Sequence, residues 1–192
     1  FAEDQIPTHW NAQGEVDGYG GKAEGLLLLP GIAVGIWLLL AFIPRIDPGR
    51  RNYASFGGAY FAMRVAILGF FALLHAGIVA LALGADIDIF AMFPLGIGAL
   101  FIVLGNLLPK FRPNYFAGVR TPWTLASARS WTATHRLAGR LFILLGLLLA
   151  GMMFVREDWM VFVILGGVGV LLAVTFAYSY VVWRDDPDRV PV

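Results

Sequence analysis

Asn114, Arg120, Thr121, Pro122, Trp123, Trp131, Thr134 and His135 fall within one stretch, 109–140, that also carries Lys110, Arg112, Arg129, Arg136 and Arg140 and no acidic residue. Guanidinium groups present paired donors that suit a carboxylate or a phosphate, and Trp, Thr and His add aromatic and hydrogen-bonding contacts. One histidine without a neighbouring carboxylate is a poor general acid–base device. The chain has no cysteine, which excludes a thiolate nucleophile and any sulfur-ligated zinc or iron–sulfur site. No catalytic residue, cofactor or metal site is assigned, and the chain is not read as an enzyme. Two readings of 109–140 remain: plain interfacial anchoring, or a docking surface for a ligand or partner.

A second polar cluster is PTHWNAQGEVDGYGGK, residues 7–22. His9, Glu15 and Asp17 are metal-ligating types, but their spacing matches no motif with a ligand geometry behind it. The other reading is a turn-rich segment, with Gly14, Gly18, Gly20 and Gly21 supplying positive φ and Trp10 and Tyr19 seated at an interface. His75 stands alone inside an apolar run, where an ionisable side chain is a functional candidate. With no Asp or Glu inside any run, the simpler expectation is a neutral histidine hydrogen-bonded to a neighbouring helix.

The elements that must position these residues are apolar. Hydrophobic types make up 59% of the 192 residues and charged types 14%, against about 45–50% and about 25% in soluble domains. Runs long enough to cross a hydrocarbon layer, which takes about 20 helical residues, cover 25–43, 65–84, 91–108, 141–155 and 160–183. The fourth is short and is expected to borrow Leu137 to Arg140, or Arg156, at its ends. Continuous rather than alternating apolarity favours helices over barrel strands. The expected fold is an all-α, polytopic transmembrane helix bundle.

Charge sets the expected topology. Arg45, Arg50, Arg51 and Arg64 flank the first connection, Asp86 and Asp88 mark the second, the basic stretch forms the third, and Arg156, Glu157 and Asp158 form the fourth. Positive loops belong on the cytoplasmic side, which gathers twelve of the fourteen Lys and Arg on one face. The N-terminal segment then lies outside and the tail inside, and a sixth, N-terminal span is expected in the full-length protein. The resulting division is 1–24 extracytoplasmic, 25–84 two spans with a cytoplasmic loop at 44–64, 91–183 three spans with a cytoplasmic loop at 109–140, and a cytoplasmic tail at 184–192. GIAVG, residues 31–35, has a small-xxx-small spacing suited to close helix packing, and Pro30 sits near the start of the first span.

Thr121 before Pro122 reads as an N-cap and first helical position. On the helix that follows, Arg129, Arg136 and Arg140 share one face, while Trp123, Ser127, Trp131 and His135 recur every four residues on another. The pattern predicts a helix lying in the membrane interface.

The run GNLLPKFRPNYFAGVRTPWTLASARSWTATHRLAG, residues 105–139, resembles the signature of the SdpI-like bacterial immunity membrane proteins, above all in N-Y-x-x-G-x-R-T-P-W-T-L followed by W-x-x-T-H-R. The segment 7–22 resembles the short extracytoplasmic module that often precedes that domain. The resemblance implies a multipass protein of the bacterial cytoplasmic membrane. It further implies protection against a secreted toxic peptide on the outer side and recruitment of an ArsR-like repressor on the cytoplasmic side, with no direct nucleic-acid contact. It marks Asn114, Arg120, Thr121, Pro122, Trp123, Trp131, Thr134 and His135 as partner- or ligand-binding, and Pro7, His9, Asn11, Gly14, Asp17 and Gly18 as the outer signature. Two other readings stand beside it: a small transporter or lipid-interacting enzyme with Asn114, Arg120, Thr134 and His135 around a polar pocket, and an accessory subunit packing through GIAVG. Oligomeric state is open.

Overall fold

A computed structural model describes residues 5–11, 13–152 and 160–192. Strands β1 (Gln5–Trp10) and β2 (Val16–Gly21) form an antiparallel hairpin; helices α1 (Lys22–Ile46), α2 (Tyr53–Ala82), α3 (Ile89–Leu107), α4 (Pro122–Leu125), α5 (Ala128–Gly151) and α6 (Met160–Arg184) follow. Five of these helices, all but α4, are long and apolar enough to cross a membrane, and the chain is a multipass membrane protein. Leu27, Leu38 and Leu39 on α1 and Phe162, Leu165 and Leu172 on α6 lie exposed. Bare faces of this kind suit hydrocarbon and not water. The expected connection Arg156, Glu157, Asp158 and the end of the fourth span lie outside the described residues.

The hairpin corrects the turn-rich reading of the outer segment. Asn11 builds the turn: its Oδ1 accepts from the backbone N–H groups of Gln13 (3.0 Å) and Glu15 (2.9 Å), and its carbonyl accepts from Gly14 N at 3.0 Å. Gly14 alone of the four predicted glycines has positive φ, 82°. Gly18 and Gly20 are strand residues needed small, since a β-carbon on Gly18 would lie 2.8 Å from His9 Cβ. Ile6 then packs over Gly25, joining Ile78 and Ile89 where the hairpin meets the bundle.

Helix lengths also differ from expectation. α2 begins at Tyr53 rather than 65, with a break at Phe56 (φ −132°, ψ 16°), so the 44–64 loop contracts to a short turn and Arg64 lies eight residues, about 12 Å, past that break inside the helix. Likewise α5 starts at Ala128, and the 109–140 loop is only 108–127. Trp131, His135 and Arg136 therefore belong to the first turns of a span and not to a helix lying in the interface. The predicted continuous helix breaks at Ser127 (φ −150°, ψ 120°), whose side chain caps α5 by accepting from Ser130 N at 2.8 Å. That cap satisfies a donor which a helix N-terminus would otherwise leave open.

The closest helix pair is α3 with α5. A β-carbon on Gly98 would lie 2.6 Å from Gly146 O, and one on Gly105 2.6 Å from Gly139 O. These pairs, seven residues apart on each helix, bring two backbones together as small residues do in membranes. Gly31 and Gly35 of GIAVG meet nothing within 4 Å; the small-residue seam within this chain is elsewhere. Leu145, Leu149 and Leu171 fill the space between α5 and α6, and an aromatic core of Tyr53, Phe56, Tyr60, Phe111 and Trp131 closes the end away from the hairpin.

Candidate functional site: the closed loop at the basic end

The 108–127 loop is ordered by side chains that satisfy its backbone. Asn114, fully buried, donates from Nδ2 to the carbonyls of Arg112 (2.9 Å) and Ala117 (3.0 Å) and accepts at Oδ1 from Phe116 N (3.0 Å) and Ala117 N (2.7 Å). Its amide capacity is nearly exhausted in folding one turn. Thr121 caps α4 in reciprocal fashion with Thr124: Thr124 N donates to Thr121 Oγ1 at 3.1 Å and Thr121 N to Thr124 Oγ1 at 2.9 Å. Pro122 takes the first helical position, as the sequence predicts.

His135 is a strut. Its Nε2 accepts from Val119 N at 3.1 Å and its Nδ1 donates to the Trp131 carbonyl at 2.8 Å, so the ring is neutral with the proton on Nδ1. Trp131 stacks on it at 4.1 Å between centroids and donates its indole N–H to Phe111 O at 2.9 Å. Gly118 (φ 102°) passes against the imidazole edge, where a β-carbon would collide with Nε2. Trp123 packs edge-on against Phe176 (4.7 Å) and Tyr180 (5.1 Å) of α6.

Accessibility divides the predicted residues. Asn114, Thr121, Trp131, Thr134 and His135 are buried and Trp123 is half-buried, leaving Arg120 and Pro122 exposed. Thr134 Oγ1 is buried without a hydrogen-bond partner. A docking surface cannot include the interior set directly; those residues hold the loop's shape. The accessible face instead displays Tyr115 (51% exposed) and Phe116 (39%) beside Arg120, two aromatics the composition of the loop did not single out. Of the residues expected around a polar pocket, Arg120 lines a large cavity at this end, together with Thr121, whereas Asn114, Thr134 and His135 lie outside that lining.

Two carboxylates that sequence reasoning passed over complete the site. Asp47, 1% exposed, accepts from Gly49 N (2.6 Å), Tyr53 OH (2.8 Å) and Tyr115 N (3.1 Å), tying the α1–α2 turn to the loop. Asn52 reinforces it by donating to Pro113 O at 2.7 Å. Asp186 in the tail accepts from Ser127 Oγ at 2.5 Å, and Val190 N donates to Ala126 O at 2.9 Å, so the tail closes over the loop. The Ser127 hydrogen bond holds the Asp186 carboxyl below the usual range, helped by Asp188 N and by Arg129 and Arg189 and opposed by burial. The signal for both was available as Asp at a helix end, but their partners are 68 and 59 residues away.

Arg64 joins His75 as an ionisable residue inside α2: past the break at Phe56 (φ −132°, ψ 16°) the helix runs on to Ala82, and the two residues stand equally far from its middle. The Arg64 guanidinium lies 3.9 Å over the Trp37 ring and donates to Trp37 O at 3.3 Å, a cation–π seat suited to a low-dielectric setting. His75 Nδ1 is buried without a hydrogen-bond partner, contrary to the expected contact with a neighbouring helix.

At the opposite end, His9 Nδ1 and Asp17 Oδ1 meet at 2.5 Å across the strands, and Asn11 Nδ2 donates to Glu15 at 3.0 Å. The hairpin thus brings together His9, Asn11, Gly14, Asp17 and Gly18, with Pro7 buried beneath. Among the described residues, no group of three metal-ligating side chains converges.

Comparison with known proteins matches the chain in two separate stretches. Residues 110–179 match the model of the SdpI/YfhL protein family, and residues 2–34 match a domain of unknown function, DUF1648. Immunity protein SdpI of Bacillus subtilis (strain 168) is 22% identical over 180 residues, spanning 94% of this chain and 84% of that protein. No solved structure matches the chain. The loop signature, folded as one closed unit, lies inside the stretch that matches the SdpI/YfhL protein family, and the chain as a whole is similar to an immunity protein.

Proposed function

We propose that this protein confers immunity on a bacterium against a secreted toxic peptide, acting from the cytoplasmic membrane with the hairpin outside and the basic loop and tail inside. The observation that carries this is the similarity to an immunity protein along nearly the whole chain, joined to a bundle whose two ends are built differently. A cavity of about 200 Å³ beneath the hairpin, bordered by Trp10, Glu24, Leu29, Ile78 and Phe93, offers an apolar peptide a partly acidic landing site. At the other end Tyr115, Phe116 and Arg120 offer an aromatic and cationic surface, the composition common in binding hot spots, to an ArsR-like repressor. Toxin binding would shift a two-state packing of the helices and change how that surface is presented.

The test is survival. A sensitive bacterium expressing the chain, challenged with the toxic peptide against which Bacillus subtilis SdpI protects, survives at doses that kill the empty-vector strain. Equal killing at verified membrane levels overturns the proposal.

A further inference from the structure

The cavity at the basic end has a volume of about 660 Å³, within the about 300–1,000 Å³ of small-molecule sites. Met63, Leu104, Phe142, Leu171 and Phe176 give it apolar walls, and Arg120 stands on its rim. The wall on α6 spans 171–176, eight to thirteen residues from Arg184, or about 12–20 Å from the helix end. Because α6 runs 25 residues, about 37 Å, against a hydrocarbon layer of about 30 Å, this wall lies at hydrocarbon depth, and Thr121, bonded to Ser179 five residues before Arg184, puts the Arg120 rim on the headgroup side.

The polar atoms on the wall are spoken for. Thr175 Oγ1 donates to Leu171 O (2.8 Å) and Thr121 Oγ1 to Ser179 Oγ (2.9 Å). Arg120 differs: Nη1 donates to Tyr115 O at 2.9 Å and Nε approaches Gly118 O at 3.4 Å, which fixes the guanidinium plane. No carboxylate among the described residues pairs with it, and 109–140 contains no acidic residue at all. A held cation with donors to spare, at the mouth of an apolar cleft and on its headgroup side, is complementary to an amphiphile with one anionic head and a hydrocarbon tail.

We infer that this cleft is a binding site for one anionic phospholipid, with an acyl chain between α6 and the α2–α3 wall and its phosphate on Arg120. The inference does not rest on the immunity reading, since lipid retention needs neither toxin nor repressor.

The full chain, reconstituted in nanodiscs of equimolar phosphatidylglycerol and phosphatidylethanolamine with matched acyl chains, is released for native mass spectrometry. The wild type keeps one phosphatidylglycerol at least about tenfold over phosphatidylethanolamine, the ratio that about 1.4 kcal/mol of differential affinity gives. Arg120→Gln brings the ratio near one. Ala173→Phe, which fills the cleft from its lipid-facing edge, lowers retention of both lipids at an unchanged melting temperature. Lys110→Gln, a loop cation outside the cleft lining, leaves the preference intact.

No preference in the wild type, or a preference that survives Arg120→Gln, overturns the proposal. So does protection of Arg120 by millimolar inorganic phosphate without lipid retention, which would make it a free-anion site. A dimer that Ala173→Phe dissociates without any lipid in the wild-type spectrum also overturns it. Should Arg120→Gln fail to accumulate, Ala173→Phe decides: undiminished phosphatidylglycerol retention overturns the proposal and its loss supports it.

Discussion

Gly118 and His135 are in contact through the one edge of the imidazole that accepts a hydrogen bond, with Gly118 at φ 102° and Val119 N donating to Nε2 at 3.1 Å. Both the backbone conformation and the missing side chain are required there. Gly118→Ala should cost about 1–3 kcal/mol from backbone strain alone and displace the ring further. A fall in melting temperature in mild detergent, with loss of the Trp131–His135 stack in near-ultraviolet circular dichroism, checks this; an unchanged spectrum would count against the strut.

The buried carboxylate of Asp47 accepts at both oxygens, so Asp47→Asn turns an NH2 toward a donor. Leaving one such group unsatisfied costs about 1–3 kcal/mol. Denaturant midpoints should fall by that amount, and hydrogen exchange at Tyr115 N should accelerate more than exchange in the middle of α3.

Stability of the tail contact follows pH with a definite sign. Because the folded Asp186 carboxyl is depressed below its ordinary value, its contribution is present above the unfolded value of about 3.9 and disappears as pH falls through the folded value. Protease cleavage within 187–192 should be slow at neutral pH and rise in acid, whereas Asp186→Asn should be cleaved readily at every pH.

At the α3–α5 seam, Gly105→Val and Gly139→Val should each destabilise by about 1–3 kcal/mol through overpacking. Gly31→Ala and Gly35→Ala, where nothing lies within 4 Å, should leave the monomer's melting temperature unchanged. Thermal unfolding of the four variants separates the two stripes.

If the proposed function holds, Phe116→Ala and Arg120→Ala preserve membrane levels and abolish recruitment of a cytoplasmic repressor, scored by co-purification from cells exposed to toxin. Trp131→Ala, which removes the buried ring over His135, should lower abundance instead.

The five spans could be read directly because twenty apolar residues in a row have one economical solution in a bilayer. Their ends could not. Arg64 and Arg136 looked like loop residues since charge was taken to mark the interface, yet Trp37 seats Arg64 inside α2 and Arg136 lies on α5. The loop signature around Arg120 and Trp131 was visible as a pattern, but local spacing says nothing of burial, and its interior half proved to be internal bracing. Asp47 and Asp186 were legible only as acidic residues at helix ends: each becomes special through a distant partner. Gly105 and Gly139 went unremarked because one glycine per two turns forms no motif until the facing helix is known.

The latch between Ser127 and Asp186 also orders events in time. The two residues lie 59 apart in the chain, with all of α6 between them. During synthesis the loop can fold around Asn114 and Thr121 as soon as α5 emerges, but it stays unlatched until α6 has been inserted and the segment beyond it has left the ribosome. A nascent protein stalled before that point would present an open loop.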